Sequence, residues 1–435
     1  MVVFLRVSML HQILTHEMRV NLYYLYLFSV PAILGVLLTG GVRRTLQGRT
    51  AWYWVGFTAW LLLTVPFSTW RGGSFPLVFD YLRTNLPLLF MVAGLTLTWK
   101  EFRFLLYTLA VSGVINLVTA RLFTSQNDIY GYRLALQVGT VADPNDFAAH
   151  LLFVAPFLLW IVFASKSPIL RAAFLACAGA LTFVVLKTAS RGAAIALVVA
   201  ILYFLWRASS RQKIALLVML PVGIAIGAAV VSRDTLQRLT SFVGTSNSVD
   251  EAVASQEARR YLFFKSLEYT AKFPVFGIGP GQFSTYEVFH NEVAGMSHGL
   301  GFSTHDSFTQ ASAECGIPAF LMFAAGMLSA YLLAKRTYKD TRGDPRFRDI
   351  HAAAFCLLLS MVGFTVAISF LNFAYFFYEP FHAALAIVLA RTAKEEMRTR
   401  AVPPPAPSFP WPLPSWKRRR STSPAGSVPA AAERP

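Results

Sequence analysis

The sequence predicts an all-α, polytopic membrane bundle of about 11–12 transmembrane helices with one large loop outside the bilayer. Three observations carry that prediction. Of 435 residues, 55% are hydrophobic and only 14% charged, whereas a soluble domain of this size carries about 25% charged residues. Mean hydropathy is +0.51, and 37 residues are phenylalanine. Apolar runs close to the ~20 residues that cross a bilayer core recur along the chain.

Eleven spans follow, over residues 21–40, 51–68, 85–99, 103–123, 146–165, 169–187, 191–207, 213–232, 312–334, 351–370 and 374–392. The chain thus divides into an N-terminal segment, 1–20, and eight spans within 21–232. A large loop, 233–311, precedes three more spans within 312–392 and a tail, 393–435. Met1–Asn21 does not read as a signal peptide. Arg6, His11, His16, Glu17 and Arg19 break its apolar content, and no small-residue cleavage site precedes Tyr23.

The tail joins seven prolines, Pro403 to Pro414, to the Lys417–Arg420 cluster. Such a composition builds no core and suits a disordered segment beside anionic lipid. The net charge of +17 has the same origin: basic residues gather in short connections and in the tail. Positive-inside bias accounts for them, and no nucleic-acid partner is implied. Three cysteines, Cys177, Cys315 and Cys356, lie in or beside apolar runs without metal-ligand spacing. They read as small buried residues, and their odd count excludes a disulfide framework or a cysteine-based zinc site; no cofactor is suggested.

Orientation follows from the most basic connections, the tail and residues 335–350, placed on the cytoplasmic side. Counting back puts the loops with Arg207 and Arg211, Lys166 and Arg171, and Lys100 and Arg103 on that side too. Three polar regions then share the outer face: the 124–145 connection, the 188–191 turn and the 233–311 loop. Eleven spans leave the N-terminus outside, against the preference of Arg6 and Arg19. A twelfth span or an interfacial helix within 1–20 resolves this.

Candidate chemistry lies on that outer face. Arg191, in Ser190-Arg191-Gly192, opens an otherwise charge-free helix. It either snorkels to the headgroups or lines a polar cavity. In an amphipathic helix over 257–272, Arg259 and Arg260 either bind lipid phosphates or turn one guanidinium toward an anionic substrate. Gly277-Ile-Gly279-Pro-Gly281 lacks the strand and βαβ unit of a dinucleotide loop and reads as a tight turn. His305 stands immediately before a span, where an imidazole can accept a proton from a hydroxyl. A helix starting at His305 would align it with Thr309 and Ser312, and Asp306 reads as an N-terminal cap. The turn Tyr130–Arg133 to Asp143-Pro144-Asn145 caps the fifth span, with Arg133 and Asn145 as secondary acceptor-site candidates.

Together Asp143-Pro-Asn145, Ser190-Arg191-Gly192, Arg259 before Pro274-Val-Phe-Gly277-Ile-Gly279, and His305-Asp306 before Glu314-Cys-Gly316 resemble one family. It is the bacterial O-antigen ligase/polymerase superfamily of polytopic glycosyltransferases, and the similarity covers roughly residues 50–335. The resemblance implies a GT-C-like fold in the inner membrane and a metal-independent, inverting transfer on its periplasmic face. The donor is a glycan on undecaprenyl pyrophosphate. The acceptor is a hydroxyl of another glycan or of lipid A-core, and a chain-length regulator is a further partner. By position, Arg191 and Arg259 would bind the pyrophosphate and His305 would activate the acceptor, with Arg260, Arg133, Asn145 and Asp306 contacting substrate. Family ligases follow the histidine with Asn, Ser or Gln, and place Gly, Thr or Tyr where this chain has Ala319. Asp306 and Ala319 therefore rank a repeat-unit polymerase ahead of a ligase. A lipid-linked glycan flippase is the alternative of another class. It predicts paired broken helices and internal repeats, and the sequence has no such repeat.

Overall fold

The computed structural model describes residues 1–20, 23–123, 133–136, 139–210, 213–214, 217, 247–290 and 303–401. Every described element is helical. The expected 213–232 span, Tyr130–Tyr132 and the proline-rich tail lie wholly or mostly outside the described residues. The chain divides into a body, Met1–Lys394, and a second unit, Glu395–Pro435.

The first half of the body runs α1 (Val2–Val7), α2 (Leu10–Met18), α3 (Tyr24–Leu38), α4 (Gly41–Thr45), α5 (Arg49–Thr64), α6 (Arg71–Thr84) and α7 (Leu86–Leu95). Then come α8 (Trp99–Leu122), α9 (Pro144–Ala164), α10 (Pro168–Lys187) and α11 (Arg191–Arg207). The order closes with α12 (Asn247–Lys272), α13 (Phe283–His290), α14 (Ser307–Asp340), α15 (Arg348–Ile368) and α16 (Tyr378–Ala401). Among the described residues, five stretches are long and apolar enough to cross a membrane: α8, α9, α10, α14 and Pro345–Ile368, which contains α15. The chain is a polytopic helical membrane protein.

The helices begin where the local chemistry allows. Thr98 and Glu101 form a reciprocal capping box on α8, and Asp143, Ser167 and Ser190 cap α9, α10 and α11. Proline occupies the first helical position of α9 and α10, where its missing N–H costs nothing. α9 is the central post. It packs on α8, α10, α11 and α15, and Phe147, Phe153, Phe157 and Trp160 are fully buried along it. α14 packs on α5, α12 and α15.

The N-terminal 20 residues differ from expectation. They form two helices too short to span, and α1 enters the bundle beside α3 and α8. Val7 is fully buried, and its carbonyl lies 2.9 Å from His150 Nε2 and accepts from Asn116 Nδ2 at 3.1 Å. Arg6 donates to Asn85 Oδ1 at 2.8 Å and lies over the Phe377 ring. Of the polar residues that interrupt this segment, Arg6 therefore finds its partners inside the protein, whereas His16, Glu17 and Arg19 are exposed. Two further differences concern 69–99. α6 fills a stretch read as a connection, and the expected span 85–99 contracts to the ten residues of α7.

Candidate active site

The site is assembled from helix ends. Ala189, at φ 50°, turns the chain after α10, and Ser190 Oγ accepts from the Ala193 amide at 3.4 Å. Arg191 is then the first residue of α11. A cation there opposes the helix dipole, so helix stability does not explain it. An anion at this end would be attracted by the guanidinium and the first-turn amides alike. The next residue must be small, because a Cβ on Gly192 would come within 2.9 Å of Phe370 Cβ.

At the start of α9, Asp143 Oδ1 accepts from the Asn145 amide at 2.7 Å and from Asn145 Nδ2 at 2.8 Å. The cap is Asp143, and Asn145 sits inside the first turn. Arg133 donates to Asn145 Oδ1 at 2.9 Å and to the Thr188 carbonyl at 3.0 Å. It joins the 124–145 connection to the 188–191 turn and orients Asn145. Two of the three polar regions assigned to one face thus meet at these bonds.

The third arrives on α12, where the neighbouring arginines part. Arg259 lines a narrow cleft with Asn145, Ser190, Gly192, Phe370 and Leu371. Arg260 is exposed and lies 5.9 Å from the centroid of the Phe264 ring. The apolar stripe of α12 also divides. Leu262 and Tyr269 pack against Ile278, Phe283 and Tyr286, whereas Phe264 and Leu267 face outward.

His305 is not part of a helix, so the alignment with Thr309 and Ser312 does not arise. α14 begins at Ser307, capped by Asp306 Oδ1, which accepts from the Phe308 and Thr309 amides at 2.8 Å each. His305 precedes that cap in the left-handed region, at φ 50°, and its amide donates to Asn372 Oδ1 at 2.7 Å. Ser307 Oγ donates to the Leu371 carbonyl at 2.7 Å and accepts from the Phe373 amide at 2.8 Å. The connection between α15 and α16 is thereby folded over the start of α14. Burial holds the His305 imidazole down to about 4; the Arg259 cation pushes the same way and Asp143 opposes. Below the site, burial likewise pushes the Asp306 carboxyl up, against the two amides it accepts.

Asn372, Phe370 and Leu371 were not legible as site residues. Asn372 offers the one usable signal, an amide side chain in a strongly apolar run between the last two spans. The phenylalanine and leucine have none.

The glycine-rich segment after α12 has a scaffolding task. α14 breaks at Gly316, whose φ of 82° and ψ of 172° interrupt the helix. The Ile278 and Gly279 amides donate to the carbonyls of Ala313 and Glu314 at 3.0 and 2.8 Å, and the Ile317 amide donates to the Pro274 carbonyl at 2.8 Å. The turn thus satisfies the backbone groups that the break exposes. Gly277 must lack a Cβ, which would fall 2.3 Å from the Glu314 carbonyl carbon. Glu314 itself is buried and accepts from the Gly281 and Phe283 amides at 2.8 and 3.3 Å. It anchors the turn and the start of α13, and does not orient His305.

Residues 173–324 match the family model described as O-Antigen ligase. Over those residues the chain is similar to the O-antigen ligase family. The match begins within α10 and ends within α14, so it takes in Arg191, Arg259 and His305 and leaves Arg133, Asn145 and Asn372 outside. No curated protein matches the chain. Similarity to the O-antigen ligase family in a polytopic helical membrane protein supports an enzyme of the ligase or polymerase type, using a lipid-linked glycan.

Proposed function

We propose that the chain is an inner-membrane glycosyltransferase that transfers a glycan from undecaprenyl pyrophosphate to a sugar hydroxyl on the periplasmic face. The first reading is a repeat-unit polymerase. The observation that carries the proposal is the position of Arg259. It shares one cleft with the start of α11, beside Arg191, and its charge acts on His305.

In this reading Arg191 and Arg259 bind the diphosphate, with the first-turn amides of α11 adding partial positive charge. The acceptor hydroxyl attacks the anomeric carbon on the face opposite the diphosphate. The new C–O bond forms as the bond to the phosphate oxygen breaks, inverting the centre. The hydroxyl proton passes to the neutral imidazole of His305, and undecaprenyl pyrophosphate leaves with its charge on the two arginines. Fixed cations and a positioned base suffice, because diphosphate is already a good leaving group. The mechanism invokes no metal or cofactor.

A second reading is transfer to lipid A-core, with which the cap at Asp306 is compatible. Asn and Ser cap helices as well as Asp does. The departure from the family ligases at this position therefore leaves the local structure intact. Reconstitution with a labelled undecaprenyl-pyrophosphate repeat unit, with and without lipid A-core, tests both. A product ladder without core supports polymerisation, and label moving only to core supports ligation. Label crossing the bilayer with no new glycosidic bond overturns both in favour of a transporter.

A further inference from the structure

A second cavity lies at the far end of two helices that reach the candidate active site. α9 runs from Asn145 in the cleft to Ala164, and α15 runs back from Arg348 to Ile368, two residues before Phe370. Each has 21 residues, which at 1.5 Å per residue gives about 31 Å. That is the thickness of the hydrocarbon core of a bilayer. Between the far ends sits a cavity of about 250 Å³ lined by Phe163, Lys166, Arg171, Arg346, Arg348 and Asp349, among others.

Two of its four cations are already committed. Arg171 Nε donates to the Ser165 carbonyl at 2.9 Å, and an Arg346 guanidinium nitrogen lies 2.7 Å from Asp344 Oδ2. Lys166 and Arg348 have no hydrogen-bond or ion-pair partner among the described residues, and Asp349 forms no ion pair with either. Arg348 and Asp349 open α15, which continues directly from a 3-10 turn over Pro345–Phe347 capped by Asp344, so the free charge at this place is that of the Lys166 and Arg348 side chains. Positive-inside bias alone asks for cations at this face; it does not ask for a cavity between them.

We infer that this cavity binds the phosphate headgroup of an anionic phospholipid, in the leaflet opposite the candidate active site. Its volume falls below the roughly 300–1,000 Å³ of pockets for drug-sized ligands, which suits a headgroup and not a nucleotide. Ile169 and Leu170, between the lining residues Lys166 and Arg171 in the chain, are 79% and 48% exposed. They offer apolar surface to acyl chains, which a soluble phosphate does not need. The inference depends on the membrane setting alone and stands apart from the proposed reaction.

The test is native mass spectrometry of the detergent-purified full chain, titrated with equal concentrations of phosphatidylglycerol and phosphatidylcholine. The wild type retains phosphatidylglycerol preferentially. Each of Lys166→Gln and Arg348→Gln lowers that preference about five-fold, and the double variant about 25-fold, as expected for independent cations at an anionic surface. Arg336→Gln, which removes an exposed cation outside the cavity, leaves it unchanged. Thermal midpoints within a few degrees of wild type establish that the variants are folded. Equal retention of the two lipids, an unaltered preference in the double variant, or an equal loss in Arg336→Gln overturns the inference. Displacement of phosphatidylglycerol by millimolar inorganic phosphate also overturns it, by identifying a soluble ligand.

Discussion

The backbone amide of His305 donates to the side-chain Oδ1 of Asn372 at 2.7 Å, linking the residue before α14 to the connection between the last two helices. His305 has a positive φ, which for a residue with a Cβ is stable only when its surroundings hold it. Asn372 supplies that hold from 67 residues away. Removing the acceptor leaves a part-buried N–H unmet, a cost of about 1–3 kcal/mol, and frees His305 to relax. Asn372→Ala is expected to lower kcat by about 10- to 100-fold with little change in KM for the donor. Asn372→Asp keeps an acceptor and should recover most of the rate. Equal loss in both variants, measured by glycan transfer in proteoliposomes, would remove Asn372 from the positioning of His305.

The pH dependence follows from the charge on His305. Its imidazole is held to about 4, against an ordinary 6.5, first by burial and then by Arg259. A depressed histidine stays neutral, and able to accept a proton, until the pH falls through its own folded value. The acid limb of kcat/KM, which reports the free enzyme, is therefore expected near pH 4 and not near 6.5. A bound diphosphate offsets the Arg259 charge and raises the imidazole, so the acid limb of kcat should lie higher than that of kcat/KM. The same depression makes the folded state less able to bind a proton than the unfolded one. Its contribution to stability is complete above about pH 6.5 and disappears as the pH falls through about 4. Coincident limbs near 6.5 would exclude His305 as the base.

Arg259 and Arg260 are adjacent in sequence and opposite in consequence. Arg259 lines the cleft, whereas Arg260 is exposed against Phe264. Loss of one fixed donor to developing charge costs about 10²- to 10³-fold in rate. Arg259→Ala should meet or exceed that, as should Arg191→Ala and His305→Ala, each at a normal level of membrane-inserted protein. Arg260→Ala should stay within about two-fold of wild type. Arg259→Lys keeps the charge but loses the planar fork, and should fall between the two. Polymer formation at the wild-type rate by a well-expressed His305→Ala variant would sink the proposed chemistry.

The bundle was legible because apolar run length is a direct physical requirement of a bilayer. Charge bias and span parity constrain one another and group three polar regions, and Arg133, the 188–191 turn and Arg259 do come together. Sequence patterning could not separate Arg259 from Arg260, since the choice depends on which face of α12 meets α14. Nor could it place α1. Its Arg6 looks like an obstacle to burial until Asn85, some 79 residues away, supplies an acceptor. Asn372 carries the signal of an amide in an apolar run, but its role stayed hidden because the partner is a backbone amide, which leaves no trace in a sequence.

The break in α14 provides the last prediction, because it couples the scaffold to the site. Gly316 adopts φ 82° and ψ 172°, a region essentially confined to glycine. A Cβ at this position would lie 2.0 Å from the Val275 carbonyl oxygen and 2.4 Å from its carbon. Both obstacles are backbone, so no side chain can swing aside. Gly316→Ala must either push the 274–281 turn away or straighten the helix. Each response strips the Ile278, Gly279 and Ile317 amides of their partners and displaces the segment that carries His305. Backbone strain alone costs about 1–3 kcal/mol, and the lost hydrogen bonds add to it. The expected result is a lowered thermal midpoint, read by fluorescence-detected size exclusion, together with lost transfer activity. Gly343 is the control, with a similar φ of 84° and nothing within 4 Å of the place a Cβ would occupy. Gly343→Ala should bear the conformational cost without the collision, and keep its activity. If the two variants behave alike, steric closure at the break is not what holds this end of α14 in place.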